Sequence, residues 1–110
     1  MGGNIFDDAD IIDAYPLQQA IDDGILVEIF QDQWEQLSNG KPIVATAHLF
    51  NEVNSVEQLA MVWDQFILWR RYVKDTLPEQ EQLFTTQVND KTVWVIEDGA
   101  GVTIMYPEDY

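Results

Sequence analysis

The chain has 110 residues, of which 46% are hydrophobic and 12% aromatic, with four Trp, four Tyr, five Phe and no Cys. That is the composition of one folded domain whose core holds without staples, and it excludes a disulfide framework, a thiolate zinc site and a cysteine nucleophile. Twenty Asp and Glu against five Lys and Arg give a formal net charge of −15, which argues against direct contact with nucleic acid or anionic lipid, since both need clustered Lys and Arg.

In chain order, residues 1–13 are an acidic lead-in with Ile5, Phe6, Ile11 and Ile12 as apolar anchors. Residues 10–14 fit a short strand, and residues 1–10 are expected to be the loosest part of a single domain spanning 1–110. The lead-in lacks a basic n-region and an apolar h-region, so no signal peptide is expected. No apolar run approaches the roughly 20 residues that span a bilayer. The expected setting is soluble and cytoplasmic.

Pro16 suits the first turn of a short helix and Gly24 its left-handed end, with Leu17, Ala20 and Ile21 on one face. The run 25–30 reads as a strand from its length and branched side chains. Residues 32–38 suit a short helix capped by Asp32, with Glu35 in capping-box position. Asn39-Gly40-Lys41-Pro42 is a turn or loop. Ile43 to Val53 is read as a helix starting near Pro42. Ser55, followed by Gln58 three residues on, caps a long helix from Val56 to about Asp75, which Pro78 stops. Its apolar side carries Leu59, Val62, Trp63, Phe66, Trp69 and Val73. Three strands follow, at 83–88, 92–97 and 102–106, the first two joined by Asn89-Asp90 as a two-residue hairpin turn. The expected class is α+β. A small antiparallel meander of three to four strands packs against one long helix, with two or three short helices besides.

The stretch Y-P-L-Q-Q-A-I-D-D-G-I-L-V-E-I (15–29) resembles a block, Tyr-Thr-Arg-x-Gln-Ala-x-x-Asp-Gly-Val-Leu-Val-Asp-Val, in an uncharacterised family of small bacterial proteins. Those proteins are common on phages, plasmids and other mobile elements. Tyr15, Gln19, Ala20, Asp23 and Gly24 match it, as do the apolar positions 25–27 and the acid Glu28. V-W-D-Q-F-I-L-W-R (62–70) is similar to the family's Leu-Trp-Asp-x-Leu-x-x-x-Arg helix. D-G-A-G-V-T-I-M-Y-P-E-D (98–109) is similar to its terminal strand, Val-Thr-Ile-Met-Leu-Pro-x-Asp. Pro16 and Leu17 depart from the family's Thr and Arg, so any role of that arginine is absent here. The resemblance implies a mobile-element protein in a bacterial host cell, and no particular activity.

Residues that could carry chemistry are few. With Gly24 or Gly99 as the sixth residue of a calcium loop, the required final glutamate falls on Phe30 or Met105, so neither stretch is such a loop. No metal site and no cofactor is expected. His48 is the single histidine, with no nucleophile elbow, phosphate loop or H-E-x-x-H pattern around it, and is read as a half-exposed helical residue. Paired carboxylates suited to glycoside hydrolysis lack a visible cleft-forming architecture. No catalytic residue is assigned, and the chain is read as no enzyme. Arg70 falls within the apolar stripe of the long helix and must snorkel or pair with a carboxylate; an internal ion pair is expected. Met61, Leu68 and Tyr72 form a second, smaller apolar stripe, either a candidate dimer or partner face or a face buried under the N-terminal segment.

The acids remain. Asp7, Asp8, Asp10, Asp13, Asp22, Asp23, Glu28, Asp32 and Glu35 all precede the first basic residue, Lys41. Carboxylates spread along one face imitate the field of duplex DNA and suit a basic DNA-binding groove. The function expected is a non-enzymatic phage or mobile-element protein that binds and inhibits a basic host protein. A DNA-binding defence complex, of the CRISPR or restriction kind, is the leading target. The alternative is a small homodimeric interaction module whose acidity serves only solubility.

Overall fold

The structure, a computed structural model, describes residues 17–110. Asp7, Asp8, Asp10 and Asp13, the apolar anchors of the lead-in and the strand expected at 10–14 lie outside the described residues. The first described helix, α1, covers Leu17–Asp22 and ends at Gly24, whose φ of 79° makes the left-handed turn its sequence suggests. Strand β1 is shorter than expected, Leu26–Glu28. It stops because Phe30 adopts a left-handed φ of 57° and turns the chain into a 3-10 turn at Gln31–Gln33. Helix α2, Trp34–Ser38, follows with Gln33 at its N-cap position and no side-chain cap, so Asp32 does not cap it as expected. Trp34 holds α2 against the end of β1 by donating its indole N–H to the Ile29 carbonyl at 2.8 Å.

The main departure comes next. Ile43–Thr46 is not helical but forms strand β2, buried at all four positions. Only from Ala47 does the chain coil, into helix α3, Ala47–Val53, with Thr46 as its N-cap accepting from the Leu49 N–H. A buried strand has no alternation to reveal it, and I-V-A-T-A-H-L-F suits either period. Helix α4, Val56–Tyr72, is capped by Ser55, whose hydroxyl accepts from the Gln58 N–H at 3.2 Å, and gives way to a 3-10 turn at Lys74–Thr76.

Strands β3 (Phe84–Val88), β4 (Lys91–Glu97) and β5 (Val102–Met105) make the antiparallel meander. Asn89 and Asp90 have φ of 53° and 69°, the mirror-image turn that matches strand twist. Strand β2 lies parallel to β5, and β1 antiparallel to β2, giving a five-stranded mixed sheet in the order β1-β2-β5-β4-β3. The class is α+β as expected. The early strands, however, reach the meander through a parallel pairing that local sequence does not announce. Gly101 permits that pairing, because a Cβ there would stand 2.5 Å from the Pro42 carbonyl oxygen. That oxygen accepts from the Val102 N–H at 2.9 Å.

One face of the sheet and α4 enclose the core. Leu59, Val62, Trp63 and Phe66 of α4 bury against Val93, Val95, Ile104, Ile43 and Ala45. Phe66, Trp69 and Phe84 form an aromatic cluster with centroids 5.6–6.1 Å apart. No helix among the described residues is long and apolar enough to cross a membrane.

Candidate functional site

Five of the acids singled out in the sequence fall in the stretch from α1 to α2 around β1, an edge strand of the sheet. Asp22 ends α1, Glu28 ends β1, Asp32 lies in the 3-10 turn, and Glu35 starts α2; all but the half-buried Glu28 are exposed. Asp23 follows α1 and is also exposed. Asp22 sits against the negative end of α1, and the Gln18 amide donates to it at 3.1 Å. Other carboxylates lie elsewhere. Glu57 and Asp64 are two turns apart on the solvent side of α4, and Asp90 is at the tip of the hairpin on the opposite edge of the sheet. Among the described residues the acids therefore lie toward both edges of the sheet and do not gather in one row.

The cations are mostly committed internally. Arg70 leaves α4 and grips Glu97 of β4 with both carboxylate oxygens, Nε to Oε1 at 2.7 Å and Nη2 to Oε2 at 3.1 Å. Lys41 approaches the same carboxylate at 4.0 Å. The pair joins helix to sheet, but at the rim: the Arg70 side chain is 51% exposed. Lys91 donates to Glu52 at 2.7 Å.

A cluster unforeseen in the sequence joins α3 to the end of the chain. His48 Nδ1 lies 3.0 Å from Asp109 Oδ1, and His48 Nε2 lies 3.7 Å from Glu52 Oε2. Thr46 donates to the other oxygen of Asp109 at 2.9 Å. The Tyr106 hydroxyl donates to Glu52 at 2.8 Å, and its ring meets His48 edge-on at 4.9 Å. The hydrogen bond to Asp109 raises the His48 pKa above 6.5. Burial pushes Asp109 up, but hydrogen bonds from His48 and Thr46 outweigh it and leave its pKa lowered. Hydrogen bonds from Lys91 and Tyr106 lower Glu52. Burial, then the bond to Glu52, pushes Tyr106 up to about 12. The only local sign of this cluster is the His48–Glu52 spacing of four; Asp109 and Lys91 are distant in sequence.

As chemistry, the Asp–His pair has the orientation of a general base, and the second nitrogen of the half-exposed imidazole stands 3.7 Å from a Glu52 oxygen. The arrangement is a clasp. A cleft of about 750 Å³, open to solvent, lies elsewhere, between α2 and α4, lined by Leu37, Trp63, Asp64, Ile67, Arg70 and Arg71. Among the described residues no group of three His, Asp or Glu is placed to hold a metal ion.

Met61, Leu68 and Tyr72 are 59%, 56% and 66% exposed. At about 100° per residue they share one flank of α4 with Gln58 and Gln65. That flank lies beside β3. Gln58 donates to Asn89 at 3.0 Å, and Thr86 donates to Gln65 at 2.6 Å.

Comparison with protein-family models, with curated proteins and with solved structures finds no match.

Proposed function

We propose that the protein is a non-enzymatic ligand of a basic bacterial protein, and that it inhibits a DNA-binding defence complex by occupying the groove that DNA would fill. The observation that carries this reading is the fate of the cations. Lys41, Arg70 and Lys91 are drawn into pairs with just two carboxylates, Glu97 and Glu52. The formal charge of −15 is thus expressed outward.

Such a field accelerates and orients encounter with a basic surface, with strong dependence on salt. Because the described acids lie toward both edges of the sheet, the field as a whole drives capture, and a phosphate-like row of charges is not required. Asp22, Asp23, Glu28, Asp32 and Glu35, carried by the stretch from α1 to α2, form the proposed contact. The motif resemblance to mobile-element proteins supports the choice of a host defence complex as target.

The test is a pull-down from bacterial lysate with the tagged protein at low and high salt. Recovery of one nucleic-acid-binding complex at low salt, released at high salt and lost in an Asp32→Lys, Glu35→Lys variant, is expected. Recovery that ignores both salt and the double substitution would sink the proposal.

A further inference from the structure

We propose that the free edge of β3 and the adjoining flank of α4 form an isologous interface, on which a second copy of this chain adds its own β3 and joins two sheets into one. This surface is separate from the acidic β1–α2 side, so the inference goes beyond the reading above.

Strand β3 is the last in the sheet order, and among the described residues no strand pairs with its outer edge. The two-residue turn at Asn89-Asp90 makes Val88 and Lys91 the hydrogen-bonded pair that closes the hairpin. Alternation then directs the N–H and C=O groups of Thr86 and Phe84 toward β4. Those of Thr85 and Gln87 point the other way, into solvent. Edge strands are ordinarily guarded by charge, proline or a bulge. F-T-T-Q-V has no charge and no proline, and its register with β4 runs unbroken from Phe84 to Val88.

Charge names the occupant. In a chain with 20 acids, residues 83–89 carry none. A basic partner is drawn to the carboxylates and away from this strip. A second copy carries the same −15 and can approach closely only through a neutral surface.

Geometry points the same way, because an isologous contact must be self-complementary about a two-fold axis. With the axis beside Thr86, Thr85 exchanges both backbone hydrogen bonds with Gln87 of the second copy, and the reverse, about four bonds in all. On α4 the flank reads Gln58, Met61, Gln65, Leu68, Tyr72, at spacings of three and four centred on Gln65. An antiparallel mate sets Met61 toward Leu68 and Gln58 toward Tyr72, and brings Arg71 toward Glu57 of the other copy beside the two Asp64 carboxylates that flank the axis. The two centres are the same place: the Thr86 hydroxyl donates to the Gln65 amide oxygen at 2.6 Å. One axis therefore satisfies strand and helix together.

Sedimentation equilibrium of the full chain tests this, expecting twice the 12.7 kDa chain mass. Gln87→Pro removes an outward N–H, and Leu68→Glu places a charge near the axis. Each is expected to weaken the dimer at least about tenfold with the far-ultraviolet dichroism unchanged. Register has its own readout, which stands even if Gln87→Pro fails to fold. The chain has no cysteine, so Thr86→Cys should form a symmetric disulfide on oxidation, whereas Thr85→Cys should not, its mate lying beyond the roughly 7 Å limit between Cα atoms. Added salt should strengthen the dimer by screening repulsion, opposite in sign to its effect on a basic partner. A monomer at all concentrations in which Thr86→Cys stays uncrosslinked overturns the proposal. So does a dimer indifferent to both Gln87→Pro and Leu68→Glu. A monomer whose edge instead captures another protein, lost in Gln87→Pro, overturns the second copy as occupant.

Discussion

Glu52 faces three partners, accepting from Lys91 and from Tyr106 while standing 3.7 Å from His48. His48 links the same group to Asp109, so this surface cluster ties stability to pH. The His48 pKa is raised in the folded state, so its contribution to stability is complete below about 6.5 and is lost as pH rises through the raised value. Glu52 and Asp109 are lowered, so theirs is present above the ordinary carboxylate range, about 4, and is lost as pH falls through the lowered values. The clasp is therefore tightest between the carboxylate range and the raised value of His48. Following the His48 ring protons by NMR across pH checks this. Asp109→Asn should bring the titration back toward 6.5, and a wild-type midpoint at or below 6.5 would contradict the assignment. At the rim, Arg70→Met removes a bidentate but half-exposed bond to Glu97, and urea denaturation should show a loss of about 1 kcal/mol or less. Sequence pattern reached Arg70, because its place in an apolar stripe demands a carboxylate. It did not reach His48, whose partner lies 61 residues away and belongs to no local pattern.

Elements with their own local signals were legible, and those defined by distant partners were not. Ser55 with Gln58 marks the start of α4, Asn89-Asp90 marks the hairpin, and Gly24 ends α1. Ser55→Ala should cost about 1 kcal/mol in thermal or urea unfolding, since it strips the cap from the helix that supplies much of the core. Phe66→Ala, inside the aromatic cluster, should cost about 3–5 kcal/mol by the same measurement. Strand β2 behaves differently. Its residues tolerate a helix, and the decision falls to β5, which offers Val102, Thr103 and Ile104 as parallel neighbours of Ile43, Val44 and Ala45. Gly101→Ala tests that dependence. A methyl pressed onto the Pro42 carbonyl should cost about 1–3 kcal/mol and reach amide-exchange protection in β2, far off in sequence. Protection unchanged at 43–46 would show that the close approach does not matter.

Over the whole molecule, two features compete: a large negative charge that pushes copies apart and the neutral β3 edge on which the proposed dimer forms. Composition reveals the first at once. The second required the hairpin register and the contact between α4 and β3, which no local stretch contains. Melting temperature should rise with salt, as self-repulsion is screened; a flat or falling dependence would mean that the charges are already balanced by local pairing. The sheet order adds a consequence for how the protein comes into being. Strand β5, Val102–Met105, is the last of the five strands in chain order, yet it occupies the middle of the sheet. Until it emerges, β1–β2 and β3–β4 are two ribbons with nothing between them, and Ile43, Val44 and Ala45 have no neighbour on that side. The chain can form helices and a hairpin during translation, but its sheet closes only as a late, long-range event. The arrival of β5, rather than the growth of either ribbon, is the moment of folding.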